Sequence, residues 1–332
     1  MTMNRKINMK TIALIGAGQL GSRHLQALSK LTFAAQVEVV DIFPASLETA
    51  KIRFEEMPEN RNIEHIKYVS SLQEISGQID LAIVATNADI RADVIRTLIS
   101  LCDVENLVLE KVLFQKIEEY GEIEALLRKN EIRAWVNHAR RAFPFYRKLK
   151  NLLSASKQVS FQVQGGAWGL GCNGLHMIDL LAFLTDAKTL KMSTNRLNNT
   201  ILQSKRKGFV EFSGALEGQV GSHHFDIFCH EEFLPAIITI SSDMLCVIID
   251  ESNGWFRMAT KENGWKWVEK KEKIVLFQSE LTNVIVEDIF RTGGCDLPTY
   301  SEAKSLHVPF VTELSAFVNQ HSAEKYVICP IT

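Results

Sequence analysis

The sequence has no excess of positive charge: 37 lysines and arginines stand against 39 aspartates and glutamates in 332 residues. A chain so balanced has no net field with which to collect phosphate backbones, and nucleic acid is not an expected partner. Cysteines are few, six in all at 102, 172, 229, 246, 295 and 329, and no two have C-x-x-C spacing. They read as reduced thiols in a reducing compartment. No apolar segment approaches the roughly twenty residues of a membrane helix. Residues 1–10 are polar, with Arg5, Lys6 and Lys10, and the apolar run after them stops at glycines. Neither a signal peptide nor a membrane partner is expected, and the expected location is cytoplasmic. Internal repeats and low-complexity linkers are also missing.

What is present is an ordinary globular composition, 46% hydrophobic and 23% charged, on a chain longer than one compact core usually holds. Two domains are expected. In the first half, apolar strand-like runs at 11–15 (TIALI), 37–40 (VEVV), 66–69, 81–85 (LAIVA), 106–110 (NLVLE) and 134–137 alternate with helix-like stretches at 21–30, 45–57, 71–75, 91–101 and 117–129. Six strands with intervening helices make a doubly wound parallel sheet. Beyond about residue 140 the pattern changes. Helices are expected at 144–155, 176–184 and 301–319, with β-rich runs at 159–164, 205–212, 218–228, 236–241, 245–250, 254–260 and 264–268. Consecutive strands with short turns pair antiparallel. The fold class is therefore α/β, an N-terminal doubly wound Rossmann domain over 1–138 and a C-terminal α+β domain over 139–332 built on a large open, mainly antiparallel sheet.

The chain Gly16-Ala17-Gly18-Gln19-Leu20-Gly21 fits G-x-G-x-x-G. Alone the hexapeptide is a weak signal, but it follows a strand, opens a helix and precedes a second strand that ends at Asp41. Gly16 suits the tight turn, Gly18 lets the backbone approach a diphosphate, and Gly21 lets helix and strand pack closely. The helix N-terminus then offers N–H groups to phosphate. Asp41 is placed to accept the adenosine ribose hydroxyls and to repel a 2′-phosphate, and Ile42 and Phe43 follow it rather than arginine, so NAD is expected in preference to NADP. The plainer alternative is an ordinary strand-to-helix turn with Asp41 capping the next helix. Thr86 and Asn87, just past the fourth strand, sit at the ligand edge of such a sheet or serve as the N-cap of the helix from Arg91.

These blocks resemble the glucose-fructose oxidoreductase, inositol dehydrogenase and rhizopine catabolism (Gfo/Idh/MocA) family over nearly the whole chain. The resemblance is carried by GAGQLGSRHLQAL at 16–28, ATNAD at 85–89, Glu110-Lys111-Val112, NHARRAFPFY at 137–146, GLHMIDLLAFL at 174–184 and LPTYSEAKSLH at 297–307. It implies hydride transfer between a nicotinamide and the hydroxyl or carbonyl carbon of a sugar, cyclitol or nucleotide-linked sugar. Lys111 matches a lysine that polarises or protonates the reacting oxygen, His176 a histidine of proton transfer or substrate binding, and Asp179 the acid of H-x-x-D. The implied cofactor contacts are Gly16, Gly18, Gln19, Leu20, Gly21, Asp41, Thr86, Asn87 and Glu110, and the substrate contacts are Lys111, Arg141, Cys172, Asn173 and His176. The resemblance further implies a homodimer or homotetramer joined through the C-terminal sheet. Two departures stand out. Val112 replaces the usual proline, so the bend at Lys111 lacks that ring's fixed φ and a cis bond there is not expected. Cys172 replaces an aspartate or asparagine, and a thiol cannot stand in for a carboxylate paired with lysine.

Each candidate has a plainer role: Lys111 in a surface salt bridge, His176 as a core histidine on an apolar helix, Asp179 as a helix-dipole partner. Arg140 and Arg141, beside Phe143 and Tyr146, form a basic aromatic patch suited to phosphate or carboxylate, or a solvated helix face. Cys172 and His176 at i and i+4 give only two ligands, and His223, His224, Cys229 and His230 alternate across a strand, so no metal is expected. Two further functions stay open: an NAD- or metabolite-binding sensor without catalysis, and an enzyme that keeps NAD tightly bound for internal redox.

Overall fold

The computed structural model describes residues 9–332, and residues 1–8, which include most of the segment read above against a signal peptide, lie outside them. The chain forms two compact units, the first comprising the chain up to Leu113 with Gly121–Asn137 and Phe277–Tyr300, the second Phe114–Tyr120, His138–Leu276 and Ser301–Thr332. Among the described residues no helix is long and apolar enough to cross a membrane.

In chain order the first unit brings β1 (Lys10–Ile15), α1 (Gly21–Leu28), β2 (Ala35–Val40), α2 (Pro44–Glu55), β3 (Ile63–Val69), the two-residue β4 (Gln78–Ile79), β5 (Leu81–Val84), α3 (Arg91–Leu101), β6 (Asp103–Val104) and β7 (Asn106–Leu109). α4 (Ile117–Lys129) and β8 (Arg133–Val136) follow. Six of these strands form one sheet in the order β3-β2-β1-β5-β7-β8. Every pairing in it is parallel. This is the doubly wound order, and its inner strands show why their sequences are apolar on both faces: Ile12, Ala13, Leu14, Leu81, Ala82 and Ile83 are wholly buried.

In the second unit α5 (Pro144–Leu153), β9 (Val159–Gly166), α6 (Leu170–Thr185), β10 (Leu190–Leu197), β11 (Leu202–Gln203), β12 (Val210–Glu211), β13 (Gly214–Val220) and β14 (His223–His230) come in succession. Then come β15 (Leu234–Ser242), β16 (Leu245–Asp250), β17 (Trp255–Thr260) and β18 (Val268–Lys271). Eight strands form an open sheet in the order β10-β13-β14-β9-β15-β16-β17-β18. Only the β14–β9 pair is parallel. α6 packs on this sheet, against β9, β13 and β14.

Several elements differ from expectation. The run at 218–228 is two strands, β13 and β14, joined at 221–222. β10 is not among the expected strands, because LKMSTNRL carries neither an apolar run nor clean alternation. The expected strand at 205–212 is mostly loop, with only β12 pairing, to β11. α6 begins six residues before His176, at Leu170. Finally, α7 (Gln278–Thr292) is an unexpected helix that belongs to the first unit, where Leu281, Ile285, Val286 and Ile289 are buried and the helix packs on α1. It precedes the last helix, α8 (Tyr300–His321).

Candidate functional site

The turn between β1 and α1 holds its glycines for three different reasons. Gly16 has φ +93°, and a Cβ there would meet the backbone of Ala85 and Thr86 at 2.9 Å. At Gly21 a Cβ would sit 1.8 Å from the Gly16 carbonyl oxygen, so helix and turn are in contact. At Gly18 a Cβ would have nothing within 4 Å. The fold does not need a glycine at 18; the space above it is free for a ligand. No side chain caps the start of α1 at Leu20, and the Ser22 and Arg23 N–H groups are bonded instead to the Gly18 and Leu20 carbonyls of the turn, each at 2.9 Å.

A pocket of about 430 Å³ continues from this turn, lined by Gly18, Asp41, Phe43, Ser71, Thr86 and Asn87 among others, and among the described residues Asp41 is the only charged one in its wall. The Asp41 carboxylate accepts the Ala17 N–H at 2.7 Å and the Phe43 N–H at 2.9 Å, which leaves lone pairs on both oxygens. Ile42 and Phe43 beside it are 69% and 63% exposed. Among the described residues the buried Thr86 hydroxyl has no hydrogen-bond partner. Gln19 is held from outside the pocket: its side-chain oxygen accepts from Arg53 of α2 at 2.6 Å, and Arg53 also reaches the Gln19 carbonyl and the Ser22 hydroxyl.

At the same sheet edge, Glu110 is buried behind Lys111. Its Oε1 accepts from His24 Nε2 at 3.0 Å and from Asn137 Nδ2 at 2.5 Å, and its Oε2 accepts the Lys111 N–H at 3.3 Å. His24 Nδ1 in turn lies 2.9 Å from the Thr282 hydroxyl of α7. Burial pushes the Glu110 carboxyl up, but hydrogen bonds from His24 and Asn137 and the charges of His24 and Arg91 overcome it and hold it below the usual carboxylate range. Lys111 itself is half-buried. The Lys111–Val112 peptide is cis, which corrects the expectation that a cis bond would not form without proline. Val112 and Leu113 are wholly buried, and the guanidinium of Arg91 binds both their carbonyls, so packing and hydrogen bonds hold the segment in place of a ring.

In the second unit, the i, i+3 spacing of His176 and Asp179 turns both toward His138. The His138 and His176 rings meet edge to face at 5.0 Å, and His138 Nδ1 lies 3.7 Å from Asp179 Oδ2. His138 Nε2 is 2.9 Å from His307 Nε2 of α8. Asp179, 1% exposed in its side chain, takes the Arg141 fork at 2.8 and 2.7 Å. Arg140 is engaged in the same way by Glu251, at 2.9 and 2.7 Å, and Tyr146 donates to that carboxylate at 2.6 Å. Neither arginine of the expected basic patch therefore presents an open fork.

Cys172 and Asn173, in the first turn of α6, line a pocket of about 440 Å³ with Trp168, Lys205, Arg206 and His230, while His176 lies outside it. The N–H groups of Gly171 and Cys172 donate to Glu211 at 2.7 and 3.1 Å, so a carboxylate of the protein occupies this helix start. Asn173 donates to the Trp168 carbonyl at 2.6 Å. Among the described residues no three His, Cys, Asp or Glu side chains are arranged to hold a metal ion. The groups to which the sequence alone assigns no role are Arg91, Asn137, His138, Glu211 and His307. A charged residue opening a helix reads as exposed, and only the fold reveals that Arg91 is buried.

Comparison with known proteins agrees with this geometry. Residues 10–138 match the family model described as an oxidoreductase family with an NAD-binding Rossmann fold. No curated protein sequence matches the chain significantly. Among solved structures, an oxidoreductase from Agrobacterium radiobacter in complex with NAD+, L-tartaric acid and magnesium is 13% identical with a TM-score of 0.71, over 94% of this chain and 97% of that one. The super-repressor mutant of Gal80p from Saccharomyces cerevisiae is 14% identical with a TM-score of 0.70, again over 94% and 97%. UDP-N-acetylglucosamine 3-dehydrogenase from Acidithiobacillus ferrooxidans is 11% identical with a TM-score of 0.65, over 92% and 96%. At such identities the likeness is one of fold. Residues 10–138 thus carry the NAD-binding Rossmann fold of the Gfo/Idh/MocA oxidoreductase family, and the match is to that segment.

Proposed function

We propose that the protein is an NAD-dependent oxidoreductase that moves a hydride between nicotinamide and the hydroxyl- or carbonyl-bearing carbon of a sugar, cyclitol or nucleotide-linked sugar. The observation that carries this reading is the open space at Gly18 leading into a pocket whose single charge is Asp41. A dinucleotide fits these groups. Gly16, Gly18, Gln19, Leu20 and Gly21 would hold the diphosphate, Asp41 the adenosine ribose, and Thr86 and Asn87 the portion beyond β5, with Glu110 fixing the backbone of Lys111. An acid with no cation in the pocket favours a ribose hydroxyl over a 2′-phosphate, hence NAD.

Once bound, the nicotinamide supplies or accepts the hydride. Lys111 hydrogen-bonds the reacting oxygen, giving its proton as the ammonium when a carbonyl is reduced and taking the hydroxyl proton as the neutral amine when an alcohol is oxidised, a role typically worth about 10²–10⁴-fold in rate. His176 serves substrate binding or proton transfer. Asp179, engaged by Arg141, supports this as a positioning group, and Arg141 contributes through that pair. Cys172 and Asn173 supply the substrate-facing wall of the second unit. The eight-stranded sheet is proposed as the surface of a homodimer or homotetramer: along β16 alternate residues are buried and half-buried, so one face has cover and the other invites it. The cytoplasm is the proposed location.

The test is absorbance at the NADH wavelength across a panel of sugars, cyclitols and nucleotide-linked sugars. Turnover with any member supports the reading. Tight NADH binding with no turnover favours a second one, a dinucleotide-linked sensor, for which the specific observation is Cys172, whose thiol stands at the implied carboxylate position and whose N–H is bound to Glu211.

A further inference from the structure

Arg91 opens α3 and is 1% exposed. A buried guanidinium loses its hydration and needs fixed acceptors in return, which here the backbone supplies. Its two terminal nitrogens donate to backbone carbonyls of two different loops. Nη1 binds the carbonyls of Val112 and of Leu113, the latter at 2.9 Å, and Nη2 binds the carbonyl of Thr86. One loop follows β7 and carries Lys111; the other follows β5 and carries Thr86 and Asn87 in the pocket wall. A planar fork reaches three acceptors in fixed directions, which neither an ammonium nor an amide reproduces.

We infer that Arg91 is a positioning residue for Lys111: it clamps the two residues that follow the lysine to the loop that lines the dinucleotide pocket, and so fixes the backbone from which the ammonium extends. The inference rests on the role proposed above for Lys111, and the clamp itself is a property of the first unit alone. Its charge also contributes to holding Glu110 ionised, so the carboxylate that accepts the Lys111 N–H depends on the same guanidinium.

The experiment compares full-length wild type with Arg91→Ala and Arg91→Lys, after circular dichroism has established that each is folded. Acetylation by an amine-reactive ester is followed site by site with mass spectrometry, with the exposed Lys129 of α4 as internal reference. Release of the loop is expected to change the Lys111 rate by about fivefold or more while Lys129 keeps its wild-type rate. With any substrate the panel yields, kcat is expected to fall by roughly tenfold or more while NADH affinity stays within about threefold, and millimolar guanidinium is expected to restore part of kcat to Arg91→Ala. A folded variant with wild-type Lys111 labelling overturns the inference. Should Arg91→Ala not fold, Arg91→Lys is read by the same criterion, since it keeps the charge but not the three-way fork. Absence of turnover in the wild type would count against the oxidoreductase reading, and the labelling comparison would still decide the role of Arg91.

Discussion

Asp41 accepts the backbone N–H of Ala17 at 2.7 Å, so the acid that follows β2 braces the turn between β1 and α1 as well as supplying a charge to the pocket beyond it. Its replacement acts on both. Asp41→Ala is expected to weaken NADH by about ten- to a hundredfold, the equivalent of losing one or two hydrogen bonds to a charged group. Discrimination against NADPH should collapse with it. Fluorescence titration of both reduced dinucleotides checks this, and an unchanged NADH to NADPH ratio would remove Asp41 from cofactor selection.

Lys111→Ala separates chemistry from binding. Turnover is expected to fall by about 10²–10⁴-fold, with NADH affinity within roughly twofold of wild type, because the lysine is assigned to the reacting oxygen and not to the dinucleotide. Steady-state kinetics beside equilibrium titration gives the answer. Equal losses in both would instead mean that the substitution disturbs the sheet edge.

The Glu110 network makes a prediction in pH. The native carboxyl is held below the ordinary value of 4.5, so the native state keeps it ionised at pH values where the unfolded chain already binds a proton. Its stabilising contribution is fully present above the unfolded value and is lost as pH falls through the lower native value. Glu110→Gln should therefore be less stable than wild type at pH 7, and the gap should narrow as pH falls below 4.5. Urea denaturation across that range measures it; a gap that stays constant would mean that the ionised form is not what His24 and Asn137 bind.

Asp179 and Arg141 form a buried, two-bonded pair. Removing one partner leaves the other charge buried, and Asp179→Ala is expected to cost about 3–5 kcal/mol of stability. Replacing both by apolar residues of similar size should recover much of that loss. Denaturation midpoints of the single and double variants decide between this and a purely catalytic role, which would leave stability unchanged.

Much of the first unit was legible because its physics is local. β1, β5 and β7 are short and mainly apolar on both faces, as strands covered on both sides tend to be, while β2 carries Glu38 among its valines, and the glycine turn stands in register between strand and helix. The candidate acids and bases were legible only as residue types. What Asp179 and Arg141 do to each other depends on a contact 38 positions apart, and no spacing rule reports it. α7 was hidden for a related reason: its apolar positions follow helical spacing, but it serves the first unit from a place in the chain after the strands of the second. Arg91 was hidden by its charge, since the prior for an arginine at a helix start is solvent.

The most direct measurement is an NADH titration of the purified wild type and of Gly18→Val. A Cβ at position 18 meets nothing within 4 Å, so the variant should unfold within a few degrees of wild type, yet the space assigned to the diphosphate would be filled. Saturable binding to the wild type, with affinity reduced by about tenfold or more in Gly18→Val, is the predicted result. Wild type that binds neither NAD nor NADP in either oxidation state, or a variant that binds as tightly as wild type, would contradict it.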